Sequence, residues 1–441
     1  MADIHPFRAF RYDPQRTSPA LVVTQPYDKI TPALHERYYA ASPYNLVRII
    51  LGRHEVEDNP ENNVYSRAAA SFRDWRRQGI LRQDARPSLY AYSQRFKLPG
   101  SDQELERRGF IALGRIEDYS AGVVFRHEHT LAKPKADRLD LLRATRAHFG
   151  QIFMLYEDSG QVESLLTSPA SPEITVTDEY GVLHRVWQVS DPQVIGSVRS
   201  AMSDKKLIIA DGHHRYETAL NYRNERRKNN QQAADSSVSA QPSVAPHEYV
   251  MMTFVNMNSP ALLILPTHRV VHSLASFSEE NFRNSARAFF DIEEVDASLD
   301  APRATAMLRE SGRAGSSILA VTPTRAFLLH HPNPNAAHVF NGLSIRQQSL
   351  DVVQLHKVLL ENVLHLTEES IRNQQNIAYV RDAADALSHL EASPRANIVF
   401  LMNPCRMAQV RDIAFAGEVM PQKSTDFYPK LLSGLTVYAL D

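Results

Sequence analysis

The stretch IIADGHHRYETAL, residues 208–220, constrains the fold more than any other part of this sequence. The apolar run at 207–210 has the length and composition of a strand that is buried on both faces. The apolar residues of YETAL then follow the spacing of one helical face. Residues 211–215 lie between the two patterns. The sequence therefore predicts a buried strand, a tight polar turn and a helix that begins within that turn.

The composition of this turn favours an anion. A helix start presents unpaired backbone N–H groups and the positive end of the helix dipole. His213, His214 and Arg215 would add positive charge at that end, where it does not stabilise the helix itself. Gly212 lets the backbone approach a ligand closely, and a guanidinium binds phosphate oxygens through two parallel hydrogen bonds. We expect residues 212–215 to bind phosphate.

A plainer interpretation of the same residues stays open. Asp211 can be an ordinary N-cap, and the two histidines can be solvated. Arg215 can then pair with Glu217 or Glu225 on the helix. In the functional interpretation, by contrast, Asp211 is a candidate general base or magnesium ligand.

A second polar segment, HEHTLAKPKADRLDLLRATRAHF, covers residues 127–149. Glu128 is a further candidate base or magnesium ligand, and His127 is a candidate substrate contact. The histidines lack the HExxH spacing of zinc proteases, so the metal remains unknown. We expect Lys133, Lys135 and Arg138 to contact a substrate phosphate. The alternative is a solvated basic helix face.

Two further motifs offer candidates. In QPYDKI, Tyr27 is a candidate substrate contact and Asp28 a third candidate base, although an acid in an ordinary turn is the alternative. In GEVMPQKSTDFYPKLLSGL, residues 417–435, the polar tract Lys423, Ser424 and Thr425 lies between two prolines. This tract can close over an anion as a lid, or it can be a surface loop.

Composition excludes several classes of function. The chain has 49 basic and 50 acidic residues among 441, and this near-neutral balance argues against nucleic-acid binding as the main task. GxxxxGK[ST] and GxGxxG are both missing, so neither a P-loop nor a Rossmann fingerprint is present. The single cysteine cannot form an internal disulfide. With no apolar run long enough for a membrane span, these features predict a cytoplasmic protein.

Strand and helix patterns mix without steady alternation, which predicts an α+β fold. TPALHERYYAAS, with Thr31 as the cap, predicts a helix, and PYNLVRIIL at 43–51 predicts a strand. Residues 229–248 are rich in Ser, Ala, Gln and Pro, which predicts a flexible insertion. We expect a domain over 1–258 that contains this insertion, and a second α+β domain over 259–441 that contributes the 417–435 loop.

The motifs QPYDKI, HEHTLAKPKADRLDLLRATRAHF, IADGHHRYETAL, LPTHRVV and MPQKSTDFYPKLLSGL resemble, in this order, those of the family known as domain of unknown function 1015. The DGHHR turn further resembles that of the ParB/sulfiredoxin-like superfamily, which includes free serine kinases. In that superfamily the turn lies at a helix N-terminus and binds nucleotide phosphates. The resemblance implies a ParB/sulfiredoxin-like mixed core in which residues 211–215 hold phosphate.

The leading hypothesis is a phosphotransferase that moves a phosphoryl group from ATP or another phosphoanhydride, with Mg²⁺, to a hydroxylated metabolite such as free L-serine. The alternatives are a ParB-like nucleotide-binding regulator without turnover and a nucleotide phosphohydrolase. The expected partners are a nucleotide and a small molecule, without a membrane. The phosphoryl acceptor and the oligomeric state stay open.

Overall fold

The computed structural model describes residues 2–128, 132–167, 170–234, 245–333 and 338–441. The chain divides into two compact units. The first contains Met1–Arg126, Thr130–Leu263 and Pro429–Asp441, and the second contains His127–His129 and Ile264–Tyr428. The expected domain division at residue 258 stays a prediction.

The first unit combines strands and helices of very different lengths. Its strands up to residue 256 are β1 Ile4–His5, β2 Phe10–Tyr12, β3 Leu81–Gln83, β4 Leu89–Lys97, β5 Glu104–Arg115, β6 Val124–Phe125, β7 Ala147–His148, β8 Ile152–Tyr156, β9 Ile174–Thr177, β10 Leu183–Val189, β11 Leu207–Asp211 and β12 Tyr249–Asn256. Its α-helices are α1 Pro19–Val22, α2 Pro32–Ala41, α3 Val47–Ile50, α4 Val64–Arg77, α5 Ala132–Thr145, α6 Gln161–Leu165, α7 Pro192–Met202 and α8 His213–Ala234. Short 3₁₀ turns are Tyr27–Lys29, Tyr119–Ala121 and Pro246–Glu248.

A nine-stranded mixed sheet forms the centre of this unit. Its strand order is β6-β11-β8-β12-β5-β4-β10-β9, with β1 paired to β5. β11 pairs with β6 in parallel and with β8 in antiparallel orientation, and β12 runs parallel to β8. The strand that ends at residue 211 therefore has its backbone paired on both edges, and its side chains at 207–210 are all buried.

The core of the first unit holds α7 and α8 against this sheet. Ile195, Val198 and Met202 from α7 and Tyr216 from α8 belong to the same buried cluster as the sheet residues. Tyr216 is fully buried, and its hydroxyl donates to the carbonyl of Glu117 at 2.7 Å. These contacts fix the direction in which α8 leaves the strand end.

The second unit contains the strands that follow residue 262. They are β13 Leu263–Leu265, β14 His268–His272, β15 Asp291–Val295, β16 Ser317–Val321, β17 Ala326–His330, β18 Ile377–Val380, β19 Ala396–Met402 and β20 Asp426–Tyr428. The first residue of β13, Leu263, still belongs to the first unit. The helices are α9 Glu279–Ala286, α10 Ala301–Ser311, α11 Ile345–Gln348, α12 Asp351–Val353, a π-helical segment Gln354–Val363, α13 Glu368–Arg372, α14 Ala383–Ala392 and α15 Met407–Phe415. Six strands form an antiparallel sheet in the order β15-β17-β16-β19-β14-β18.

The last strand returns to the first unit. β21, Tyr438–Ala439, pairs with β7 in antiparallel orientation. The same segment bridges Phe10 through Val437 and Thr24 through Ser433. Residues 429–441 are therefore built into the first unit by backbone pairing.

The predicted α+β class is confirmed, because a large mixed sheet is combined with helices. The more specific ParB/sulfiredoxin-like topology stays a prediction. Helix α2 is also confirmed, and the Thr31 hydroxyl accepts from the Leu34 N–H as its cap. In the part of the chain that the structure describes, no helix is both long and apolar enough to cross a bilayer.

The strand predicted at 43–51 is wrong, since residues 47–50 form α3. The run is apolar because Val47, Ile49 and Ile50 are all buried, and such a run does not distinguish a strand from a short buried helix. The side-chain oxygen of Asn45 accepts from the Val47 N–H at 3.0 Å, and such a local bond favours a turn or helix start over a strand.

The insertion predicted at 229–248 is shorter than expected at both ends. α8 continues to Ala234, and Pro246–Glu248 form a 3₁₀ turn. The intervening residues 235–244 lie outside the described part of the chain.

Candidate functional site

The strand, turn and helix predicted for DGHHR are confirmed as local structure. β11 ends at Asp211, α8 begins at His213, and Gly212 joins them with a φ of 92°. Only glycine adopts this φ without steric cost. A Cβ on Gly212 would also lie 3.0 Å from the guanidinium of Arg215. The glycine therefore permits both the sharp turn and the position of the arginine.

The guanidinium of Arg215 folds back towards the strand. Its Nη2 donates to Asp211 Oδ2 at 3.1 Å, and its Nη1 donates to the carbonyl of Gln151. The two side chains are only partly exposed, at 15% for the arginine and 22% for the aspartate. The strand end thus holds a carboxylate and a guanidinium side by side at the start of a long helix.

The alternative that pairs Arg215 with Glu217 or Glu225 is wrong. Glu217 accepts from Lys135 Nζ at 2.8 Å and lies 3.4 Å from a guanidinium nitrogen of Arg126. Glu225 accepts instead from Arg143, with a shortest distance of 2.6 Å. Both glutamates therefore tie α8 to cations of other segments.

The carboxylate of Asp211 lies in a strongly positive environment. Burial opposes its ionisation, but four side chains together outweigh that effect: Lys430, Arg215, Lys29 and His213. They hold the pKa of Asp211 well below its usual range. Lys430 Nζ lies 3.8 Å from Asp211 Oδ1, and this lysine is itself buried. Three basic side chains therefore act on one ionised carboxylate.

The QPYDKI motif contributes a 3₁₀ turn to the same region. The ring of Tyr27 lies 4.3 Å below the guanidinium of Arg138, and burial together with the nearby Asp28 raises the pKa of the tyrosine to about 12. Arg215 also acts on this tyrosine. The Asp28 side chain is exposed. The predicted residues 27, 28, 138, 211 and 215 are therefore brought together in the first unit.

Arg138 and Lys135 already have carboxylate partners. Arg138 donates to Asp137 Oδ2 at 2.8 Å and to the carbonyl of Ile50 at 2.5 Å. Lys135 is bound to Glu217, as described above. Lys133 lies within α5, but its side chain is outside the described part of the structure. Direct contacts of these three residues with phosphate stay a prediction.

A cavity of about 70 Å³ adjoins Arg215 in the first unit. Its polar lining comes from Tyr27, Arg138, Arg215, Thr218 and Ser433, and its apolar lining includes Leu142 and Phe149. We call it the Thr218 cavity, after the α8 residue that lies one turn beyond His214.

The second unit contains a cluster of the other predicted residues. His127 is fully buried, and its Nε2 lies 2.8 Å from the hydroxyl oxygen of Thr425. Glu128 Oε1 accepts from the backbone N–H and the hydroxyl of Thr425, each at 3.1 Å. Ser424 is buried and donates to the Pro421 carbonyl, whereas Lys423 is exposed. The bonds of Thr425 hold the 423–425 tract against residues 127 and 128.

Side chains that can bind a metal lie in each of the two units. Among the described residues, the ligand atoms of Asp291, His330 and His331 lie within 4.8 Å of one another in the second unit. In the first unit, Asp211 offers a carboxylate of the kind that Mg²⁺ binds together with nucleotide phosphates and water.

Several residues of the turn region were missed in the sequence. Lys29 directly follows Asp28, and Lys430 and Ser433 follow the 423–425 tract, so all three lie in motifs already recognised as unusual. Gln151, whose carbonyl holds Arg215, has no comparable signal. Pairing of the C-terminal segment with Thr24 and Phe10 is what brings Lys430 and Ser433 into the first unit.

Comparison with known proteins gives a clear result at the family level. A family model described as "Protein of unknown function (DUF1015)" matches residues 4–353. None of the curated proteins matches the chain.

Solved structures give weaker likenesses. A free serine kinase in complex with AMP is 12% identical, with a TM-score of 0.34 over 71% of this chain and 88% of that chain. A conserved hypothetical protein from Pyrococcus furiosus is 10% identical, with a TM-score of 0.33 over 69% and 86%. SbnI with a C-terminal truncation, from Staphylococcus aureus, is 9% identical, with a TM-score of 0.35 over 74% and 87%. Likenesses this slight carry no conclusion about the chemistry of this chain.

Proposed function

The chain belongs to the DUF1015 family of proteins of unknown function, and we propose that it transfers a phosphoryl group from ATP or another phosphoanhydride to a small hydroxylated metabolite. One observation carries the proposal. Three basic side chains, Lys29, Arg215 and Lys430, act on the single carboxylate Asp211 where a strand passes into α8. Positive charge in this excess, at the positive end of a 22-residue helix, matches a polyphosphate.

The groups in the turn have complementary roles in this proposal. Gly212 lets the phosphate chain approach the backbone, and His213, His214 and Arg215 surround it with donors. Lys29 and Lys430 neutralise charge that develops in the transition state. Phosphoryl transfer needs mainly such positioning and charge stabilisation, so these side chains supply what the reaction requires.

In this proposal Asp211 acts as a ligand of Mg²⁺ and not as the general base. A general base works best when its pKa lies near the working pH, and the cations hold the pKa of Asp211 well below that range. The ionised carboxylate is an oxygen ligand of the type that Mg²⁺ prefers, and this ion would lower the charge of the bound polyphosphate. Asp28, exposed in the neighbouring 3₁₀ turn, is the candidate base in the first unit. Glu128, in the second unit, is the other candidate base from the sequence, and its role stays a prediction.

A turnover assay tests the proposal. Purified protein is incubated with ATP and Mg²⁺, with and without a small alcohol such as L-serine, and ADP and the phosphorylated product are followed by phosphorus NMR. We expect ADP and a phosphate ester only when the acceptor is present. ADP without an acceptor would identify a phosphohydrolase, and binding without turnover would identify a nucleotide-binding regulator.

A further inference from the structure

We propose that the Thr218 cavity is the acceptor site, and that it binds a hydroxylated carboxylate no larger than about three carbons. An acceptor site is needed only if phosphoryl groups are transferred, so this assignment rests on the proposed function above. Arg215 lines the cavity and also bonds to Asp211 in the turn, and therefore connects the acceptor site to the phosphate site.

Thr218 gives the first reason to expect a ligand. Its side chain lines the cavity and is only 4% exposed, yet its hydroxyl oxygen has no hydrogen-bond partner within the described structure. A buried hydroxyl without a partner costs free energy, about 1 to 3 kcal/mol in typical proteins. A ligand hydroxyl or carboxylate in the cavity would supply the missing partner.

Gln151 is a second buried polar residue near the cavity, although its side chain is not part of the lining. Its side chain is 1% exposed, and both its amide nitrogen and its amide oxygen lack partners among the described residues. It directly follows Gly150, which lines the cavity, and its carbonyl holds Arg215. Unpartnered buried polar groups are rare in native proteins, and among those of the described residues the Thr218 hydroxyl is the one that lines the cavity.

The volume sets the size of the occupant. A cavity of about 70 Å³ has room for about two waters at the ~30 Å³ that each occupies in the liquid, and it is about half of the ~150 Å³ that holds a benzene ring. That is the scale of the carboxylate end of a two- or three-carbon hydroxy acid or amino acid, and a sugar is too large to lie within it. Gly150 keeps the space open, because a Cβ there would lie 3.1 Å from the Ser433 hydroxyl oxygen and 3.4 Å from an Arg215 nitrogen.

The lining sets the chemistry of the occupant. Arg138 and Arg215 line the cavity with guanidinium groups that are already paired with Asp137 and Asp211. Their remaining N–H groups, together with the hydroxyls of Thr218 and Ser433, favour the oxygens of a carboxylate or a hydroxyl. His148 also lines the cavity, and burial lowers its pKa to about 4, so it adds no charge at neutral pH. The remaining wall is largely apolar and cannot satisfy additional polar groups.

The transfer step balances without a further reactant. The hydroxyl oxygen of the acceptor forms a bond to the γ-phosphorus of ATP, and the bond from that phosphorus to the β–γ bridging oxygen breaks. ADP leaves with the electron pair of the broken bond, and the hydroxyl proton passes to a carboxylate base, for which Asp28 is the candidate in this unit.

The experiment compares two hydroxyl deletions of the same type. Thr218→Val removes the cavity hydroxyl and keeps the shape of the side chain. Thr253→Val is the matched control, because the Thr253 hydroxyl is also buried and without a partner among the described residues but does not line the cavity. Each protein, saturated with ADP, is titrated calorimetrically with glycolate, D-glycerate, L-serine, L-homoserine and D-gluconate.

We expect at least one of the two- and three-carbon compounds to bind and gluconate not to bind. Thr218→Val should weaken the binding of that compound by about ten-fold, and Thr253→Val should leave it unchanged. Binding of none of the small acids, or equal binding by wild type and Thr218→Val, would overturn the acceptor-site assignment. ADP binding is measured first, in the same samples. A wild type that does not bind ADP would overturn the proposed function and not the acceptor-site assignment alone.

Discussion

Arg215 Nη2 lies 3.1 Å from Asp211 Oδ2, across the Gly212 turn that joins β11 to α8. The pair is four residues apart in sequence, but only one of the two residues belongs to the helix. Asp211 also lies 3.8 Å from Lys430 Nζ. The carboxylate therefore shields two cations that would otherwise repel one another, and removing it should affect phosphate binding and phosphoryl transfer in opposite directions.

Asp211→Asn tests these opposite effects. Loss of a negative charge at roughly 6 Å from a bound anion should raise the affinity for metal-free pyrophosphate by about three-fold. Turnover of ATP with Mg²⁺ should fall by about 100-fold, because the metal loses a ligand. Calorimetry and a coupled ADP assay measure the two effects. Asp118→Asn, which removes the partner of Arg223, is the control, and weaker pyrophosphate binding by Asp211→Asn would contradict the assigned role.

Gly212→Ala should damage the turn. The alanine would adopt a φ of 92° and place its Cβ 3.0 Å from the Arg215 guanidinium, so we expect a loss of about 1 to 2 kcal/mol in unfolding free energy and weaker phosphate binding. Gly196→Ala is the matched control. Gly196 lies within α7 with open space around its Cβ position, and alanine there should stabilise by roughly 0.5 to 1 kcal/mol. Urea denaturation of both variants checks the prediction, and equal stability changes would contradict it.

Glu217→Gln should destabilise the packing of α5 against α8. Glu217 is 11% exposed and bound to Lys135, whose side chain is 27% exposed, so the substitution leaves a partly buried ammonium without its carboxylate, at a cost of about 2 kcal/mol. Glu225→Gln breaks the exposed pair with Arg143 and should cost less than about 1 kcal/mol. Urea denaturation distinguishes the two. Similar losses of unfolding free energy in both variants would show that the Lys135–Glu217 pair stabilises the protein no more than an exposed pair does.

His268 should make the second unit sensitive to acid. Its Nδ1 accepts from the Met402 N–H at 3.1 Å, and burial, assisted by Arg269, lowers its pKa to about 4. An unfolded histidine titrates near 6.5. Between pH 6.5 and about pH 4 the unfolded chain therefore binds a proton at His268 that the folded chain does not bind. The free energy of unfolding is highest above pH 6.5 and decreases as the pH falls through this range.

His268→Asn should reduce that loss, because an asparagine oxygen can accept from the same N–H without titrating. Between pH 7 and pH 5 the wild type should lose about 2 kcal/mol more than the variant. Urea denaturation at the two pH values measures this difference. His54→Asn alters an exposed histidine and should behave as the wild type does. Identical pH dependence of wild type and His268→Asn would refute the assignment.

The local structure of the turn was predictable because its signals are short-range. Four consecutive apolar residues, one glycine and a helical spacing in YETAL specify a strand, a turn and a helix without knowledge of the rest of the chain. The helix at 47–50 was not predictable in this way, because burial on all sides removes the periodicity that distinguishes helix from strand.

The partners of the site residues were harder to predict, since they depend on contacts between distant segments. Arg215 bonds to a residue four positions earlier and to the carbonyl of Gln151, 64 positions away. Lys430 reaches Asp211 because residues 429–441 return to the first unit through backbone pairing. Charge patterns identified the motifs, but only the fold shows which cations act on the same carboxylate.

Nucleotide titration of turn variants tests the central claim most directly. ATP is titrated calorimetrically into the wild type, Arg215→Ala, His214→Ala and the double variant, with folding of each verified by circular dichroism. If residues 212–215 hold the phosphates, the wild type binds ATP and each single substitution weakens binding by about ten-fold or more, as loss of a charge-assisted hydrogen bond requires. A folded double variant that binds ATP as tightly as the wild type would contradict the assignment of this turn as the phosphate site.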